Sequence, residues 1–169
     1  RPRPTTDTHS GLLADWHREP RRARPVTKQN FSSEAGAHRN ARPYYDFANQ
    51  RVISHFVKAQ PLRTSSLRGL GNFSNIFAIE SAMDELAHLA GLDAVDFRLK
   101  HLSDPRGCAV LRAAADGIGW PPGPGGNGRG IGIAFNRYKN SKAYAAVACE
   151  VEVDEAMGTI RVVRGVVAG

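Results

Sequence analysis

Along the middle of the chain apolar side chains recur at steps of three and four, at Ile76, Ile79, Met83, Leu86 and Ala90. That period predicts an amphipathic helix starting near Ser74, an N-cap residue type, and stopping at Gly91. Asp93 is placed to cap a second, short helix with Val95, Leu99 and Leu102 on one face and Asp96 and Lys100 as an i,i+4 pair. Asp104 and Pro105 then supply the cap and first position of a third helix, whose apolar side is Val110, Leu111, Ala114 and Ile118 and which Trp120 closes. Ahead of this block, the β-branched and aromatic run 52–58 reads as a strand ended by Pro61, and a loop over 62–72 brings Gly69 and Gly71 close together.

Residues 121–130 are Pro, Gly, Asn and one Arg, a composition that sustains neither helix nor strand and reads as a connector. No strand leads into it and no Gly-Lys-Ser/Thr follows, so it is not a phosphate loop. Beyond it the pattern switches to period two. A strand is expected over 130–135. Over 143–153 Ala143, Ala145, Val147, Cys149, Val151 and Val153 fall on one face and Tyr144, Glu150 and Glu152 on the other. A turn at 154–158 returns the chain as a third strand over 160–167, an antiparallel meander with open edges that needs more chain or a partner to cover it. The fold class expected is α+β, organised as an arm (1–43), a strand and helical block (44–120), the connector (121–130) and a truncated sheet (131–169).

Charge changes the picture only at the N-terminus. Of a net +7, five units sit in residues 1–43, which also hold five of the ten prolines and no sustained apolar period. That stretch reads as an extended basic arm. It leaves open an interaction module that binds nucleic acid or an acidic partner, although the remainder shows no basic stripe and no RNA-recognition pattern. With 41% hydrophobic residues, seven Phe, four Tyr and two Trp, the 169-residue chain is not disordered throughout, and no apolar run approaches the roughly 18 residues of a membrane span. It opens at Arg1 without a secretory pattern and closes inside a strand, so a central piece of a longer protein is expected.

The residues offer little chemistry of their own. Cys108 and Cys149 are too few for a disulfide framework or a four-thiolate cage, which leaves metal chemistry to a carried cofactor or a partner. Of the six histidines, none pairs at i,i+4; His55 reads as structural, and His88 and His101 as surface residues. Glu80 and Asp84 share a helix face with Glu85 beside them, and a structural hydrogen-bonding role is favoured for Glu80 over acid/base work. There is no nucleophile elbow.

One stretch is more specific. The run from Pro61 to Ala87 contains Arg68-Gly69-x-Gly71 leading into Glu80-x-x-x-Asp84-Glu85-x-Ala87, and resembles the corresponding segment of molybdenum hydroxylase large subunits. The likeness continues through residues 90–106, the stretch 130–140 and the hairpin Glu150-Val151-Glu152-Val153-Asp154, in the family's order. It is closest to the bacterial branch of isoquinoline 1-oxidoreductases, nicotinate dehydrogenases and aldehyde dehydrogenases. The resemblance implies hydroxylation of aldehydes or N-heteroaromatic substrates with water as oxygen source, on molybdopterin carried as a cytosine dinucleotide. It implies electrons leaving through [2Fe-2S] clusters on a small partner subunit, with the remainder of the molybdopterin-binding subunit and a cytochrome c subunit as further partners, and no nucleic acid.

By the same resemblance Arg68, Gly69 and Gly71 lie against the molybdopterin, their small residues letting main-chain N–H groups reach a polar ligand. Leu70 stands where xanthine dehydrogenases place a substrate-stacking Phe. Phe135 aligns with a second substrate-flanking aromatic, and Asn136, Arg137 and Tyr138 follow it along the pocket. No residue here matches the family's catalytic glutamate, which is expected beyond residue 169, so the isolated piece is expected to be inactive. The resemblance fixes no compartment.

Overall fold

The computed structural model describes residues 36–53, 68–123 and 128–169. The arm up to residue 35, most of the expected strand over 52–58, and with them His9, His17 and His55, lie outside the described residues, as do 62–67 and 124–127. Val52 and Ile53, which are described, carry no regular structure. The chain divides into two compact units, one of Arg1–Pro43 with Asn49–Ala78, the other of Tyr44–Ala48 with Ile79–Gly169. The division falls inside the first helix rather than at the Gly/Pro connector.

In the first unit, residues 36–40 form a tight turn against the start of helix α1 (Asn72–Leu89). Asn75 Nδ2 donates to the Ala37 and Arg39 carbonyls at 2.7 and 2.9 Å, pinning the turn to the helix. The helix begins two residues before the expected Ser74. A turn over 68–71 leads directly into it, with Asn72 N–H on Gly69 O and Asn75 N–H on Gly71 O, so Ser74 lies in the first turn.

In the second unit the rest of α1, helix α2 (Ala94–Lys100) and helix α3 (Pro105–Ile118) are joined by caps the sequence announces. Gly91 takes φ 64° as the C′ residue, with its N–H on His88 O and Leu92 N–H on Ala87 O. Asp93 accepts from the N–H groups of Val95 and Asp96, Asp104 accepts from Arg106 N–H, and Pro105 is the first residue of α3. The Trp120 indole, just past α3, donates to the Asp93 carboxylate at 2.8 Å and ties the end of the block to its beginning.

The buried face of α1 is rotated from the expected stripe. Glu80, Met83 and Ala87 point inward, while Leu86 is exposed, because Arg98 of α2 packs on the Glu80 side. His101 is likewise not a free surface residue. Its ring packs against Phe97 and Phe47, with centroids 4.7 and 5.0 Å away.

Strands β1 (Arg129–Arg137), β2 (Tyr144–Asp154) and β3 (Thr159–Ala168) form the expected antiparallel meander in that order, with a register shift at Glu150/Val151. The architecture is α+β. The alternation along β2 holds, but the face that packs on α3 carries the smaller side chains: Ala146 and Ala148, with Ile133, Phe135 and Val166 beside them. Gly117 lets α3 come so near that a Cβ there would lie 2.8 Å from Val166 Cγ1. On the opposite face Val147, Ile160, Val162 and Val167 are 39%, 72%, 63% and 74% exposed. Arg164 on β3 donates to Ile118 O at the end of α3.

Candidate functional site

The loop at the head of α1 is built by two residues in the left-handed region. Gly69 has φ 88° and Leu70 has φ 56°. The first is natural for glycine; the second costs a leucine about 1–2 kcal/mol, a conformation kept where surrounding structure over-determines it. Among the described residues, the N–H groups of Gly69 and Leu70 find no acceptor, and Arg68 is exposed with no ionic partner. Among the described residues a Cβ on Gly69 would meet nothing closer than Asn72 Nδ2 at 4.0 Å, and the buried Oδ1 of Asn72 has no hydrogen-bond partner. Among the described residues the loop thus holds main-chain donors without acceptors beside an exposed cation, a set that suits a polar, anionic ligand.

Gly71 plays a different part from Gly69. Its N–H donates to Gly36 O at 3.0 Å, and a Cβ there would lie 2.1 Å from Ala37 O. The missing side chain is used by the protein's own 36–37 backbone, so Gly71 shapes the loop.

The second stretch singled out, residues 135–138, ends β1 and enters the 3-10 turn Tyr138–Asn140. Phe135 is 2% exposed, its ring set among Tyr44, Tyr45 and Gly107 in the core of the second unit. Asn136 has a buried Oδ1 without a hydrogen-bond partner. Arg137 is clamped: its guanidinium lies 5.0 and 4.7 Å from the ring centres of Tyr44 and Tyr144, donates to Tyr44 Oη, and pairs with Asp104. Tyr138 receives the Lys139 ammonium over its ring and donates its N–H to Ala143 O.

Two carboxylates organise this unit. Asp104 Oδ2 accepts from the hydroxyls of Tyr144 and Tyr44, each at 2.7 Å, and those bonds hold its pKa down to about 2. The Tyr144 phenol is raised chiefly by its hydrogen bond to Asp104, and that of Tyr44 chiefly by burial. Because the folded-state value lies below the usual carboxylate range near 4, the contribution of Asp104 to stability is complete above about pH 4 and lost as pH falls through 2. In Asp104→Asn the helix cap survives, since Asn caps as well, and this slope is expected to disappear; melting temperatures of variant and parent between pH 2 and 5 check it.

The other carboxylate is Glu80, on the buried side of α1. Its Oε2 accepts from Arg98 Nε at 2.9 Å and from Phe135 N–H at 2.8 Å, and its Oε1 from the Tyr45 hydroxyl at 2.8 Å. Arg98, fully buried, also reaches Glu80 O, Ala94 O and the Asp84 carboxylate. Burial raises the pKa of Glu80, with Arg98, Phe135 N–H and Tyr45 pulling it back. Burial is the largest influence on Arg98 and opposes its charge, but Glu80, Tyr45 and Asp84 together outweigh it and the guanidinium stays protonated. The structural role read for Glu80 from sequence holds, and the pattern Glu80-x-x-x-Asp84 gains a reason: both carboxylates grip one arginine. Among the described residues no cluster of His, Cys, Asp and Glu could hold a metal ion, and no helix is long and apolar enough to cross a membrane.

Residues 27–102 match the family model of the molybdopterin cofactor-binding domain, a span that contains the 68–71 loop and all of α1 and α2. The chain is 40% identical over 144 residues to the B subunit of nicotinate dehydrogenase from Pseudomonas putida, covering 76% of this chain and 12% of that protein. It is 35% identical over 123 residues to the beta subunit of isoquinoline 1-oxidoreductase from Brevundimonas diminuta, covering 71% of this chain and 15% of that protein. The stretches matched are those of molybdenum hydroxylase subunits, and the chain spans only a small part of the length of these relatives.

Proposed function

We propose that this chain is part of a molybdenum-dependent oxidoreductase subunit that oxidises aldehydes or N-heteroaromatic compounds, and that the 68–71 loop lies against the molybdopterin. The observation that carries this reading is the pair of left-handed residues Gly69 and Leu70, whose N–H groups have no acceptor among the described residues beside an exposed Arg68. Those donors and that cation fit an oxygen-rich, anionic pterin. On the resemblance, Leu70 of the first unit and the 135–138 segment of the second are each proposed as substrate-flanking, with the Phe135 ring as rigid backing to Asn136, Arg137 and Tyr138.

The bound molybdenum centre supplies the two-electron chemistry. This chain's share is to bind and orient: main-chain donors at 69 and 70 hold the cofactor, Gly71 fixes the loop, and Leu70 offers an apolar surface. The cytosine dinucleotide form, a small [2Fe-2S] subunit and a cytochrome c subunit complete the proposal, resting on the resemblance to nicotinate dehydrogenases and isoquinoline oxidoreductases.

The test uses the full-length subunit coexpressed with its small subunit. Stoichiometric molybdenum by mass spectrometry, CMP released on acid hydrolysis, and oxidation of nicotinate, isoquinoline or benzaldehyde are expected. A well-folded complex with neither molybdenum nor oxidation of any of the three refutes the reading.

A further inference from the structure

We infer that Glu80 is a positioning residue for the substrate-side segment, acting through the one hydrogen bond its carboxylate accepts from the Phe135 main chain; the inference rests on the function proposed above. Among the described residues strand β1 is an edge strand, paired on one side only, with β2. At Phe135 its N–H points away from β2 to Glu80 Oε2, 2.8 Å away, and the next residues along are Asn136, Arg137 and Tyr138. An edge strand with a free N–H can slide or twist at its end. Here that freedom is removed by a carboxylate that is itself immobile, held by Tyr45 on one oxygen and Arg98 on the other, with Arg98 locked in turn by Asp84 and two carbonyls.

The chain of contacts gives Glu80 a role beyond holding α1 to α2. An ion pair with Arg98 alone would have served packing and left Phe135 N–H to find another acceptor. Instead both donors share Oε2, so the position of the β1 end is set by the same atom that neutralises the buried guanidinium. An error of about 1 Å in a substrate-flanking segment costs up to a hundredfold in turnover.

Three variants of the full-length, cofactor-loaded complex separate positioning from packing. Glu80→Gln keeps an acceptor for Phe135 N–H, because the amide can turn its oxygen there and its NH2 toward the Tyr45 hydroxyl, which also accepts. In the double variant Glu80→Met with Arg98→Met, a buried ion pair gives way to apolar groups of similar volume, an exchange that proteins commonly tolerate, but the acceptor is gone. Glu80→Asp keeps the charge and draws the acceptor back by one methylene.

Hydrogen exchange of the peptide containing Phe135, molybdenum content, and KM and kcat for whichever of nicotinate or isoquinoline the parent oxidises are the readouts. For the double variant we expect exchange at Phe135 at least tenfold faster with β2 unchanged, molybdenum retained, and kcat/KM down about tenfold or more. Glu80→Gln should restore both exchange and kcat/KM to within about twofold of the parent, and Glu80→Asp should fall between. If the double variant does not accumulate, Glu80→Asp decides: parental exchange and kcat/KM there overturn the inference. A double variant with parental kcat/KM, or one in which Glu80→Gln fails to rescue, overturns it too. Absence of molybdenum from the parent complex would instead count against the proposed function, while the exchange measurement would still judge the clamp.

Discussion

Arg98→Ala is expected to destabilise the folded protein by about 3–5 kcal/mol, the penalty for leaving a buried charge without its partner. Arg98 is fully buried, and its guanidinium answers Glu80, Asp84 and two main-chain carbonyls at once. Asp84 is half-exposed and rehydrates when the arginine goes; Glu80 cannot. Without Arg98 the largest force holding Glu80 ionised is removed, and its already raised pKa moves higher. A carboxyl whose folded-state pKa lies above its unfolded value binds more protons when folded. The deficit in Arg98→Ala should therefore deepen as pH rises from about 4 toward neutrality, and acidification should partly relieve it. Thermal unfolding of the variant between pH 4 and 8 checks both size and sign. A variant as stable as the parent at pH 7 would mean that this cluster does not hold α1 to α2.

The second large effect is expected at Gly71. An alanine Cβ would sit 2.1 Å from Ala37 O, 2.5 Å from Ala37 C and 2.6 Å from Gly36 O, all main-chain atoms that cannot swing aside as a side chain would. Gly71→Ala must push apart the 36–37 backbone and the loop, breaking the bond from Gly71 N–H to Gly36 O, and overpacking of this kind costs about 1–3 kcal/mol or more. Gly69→Ala meets nothing closer than Asn72 Nδ2 at 4.0 Å among the described residues, so there its φ of 88° is at issue, at about 1–2 kcal/mol. Molybdenum content of the purified full-length subunit is expected to fall severalfold in Gly71→Ala and less in Gly69→Ala. The reverse order would show that the ligand, rather than the protein's own turn, sets which of the two glycines must stay small.

What can be read from the residues is what is decided locally. Asp93, Asp104 with Pro105, and Gly91 mark helix ends by chemistry that acts within one turn, and each does what its type suggests. The meander is legible for the same reason, because alternation and the Asp154 to Gly158 turn need no distant partner. What stays hidden depends on residues far apart in sequence. Alternation assigns the side chains of β2 to two faces but cannot say which one α3 covers; it is the face of Ala146 and Ala148, where Gly117 lets the helix come close. The burial of Arg98 escapes a reading of the residues because an arginine on a seven-residue helix looks like its wet side. Its signal is Glu80, an acid inside an apolar stripe, which calls for a cation somewhere. His101 reads as a surface residue because nothing nearby in sequence announces that Phe47 will stack on it. At the site, the glycines of the 68–71 loop are recognisable by resemblance, but that Gly71 serves the protein's own turn becomes visible only with residues 36 and 37 beside it.

The outward turn of the valines has a calorimetric meaning. Ile160, Val162 and Val167 keep most of the wetting they have in an unfolded chain, and Val147 about two fifths of it. They therefore add little to the heat capacity released when this stretch melts, and little to the entropy of water that favours its folding near room temperature. Counted by length, these residues promise more than they deliver by themselves. The shortfall measures how much of the sheet's driving force becomes available only when that side is dry.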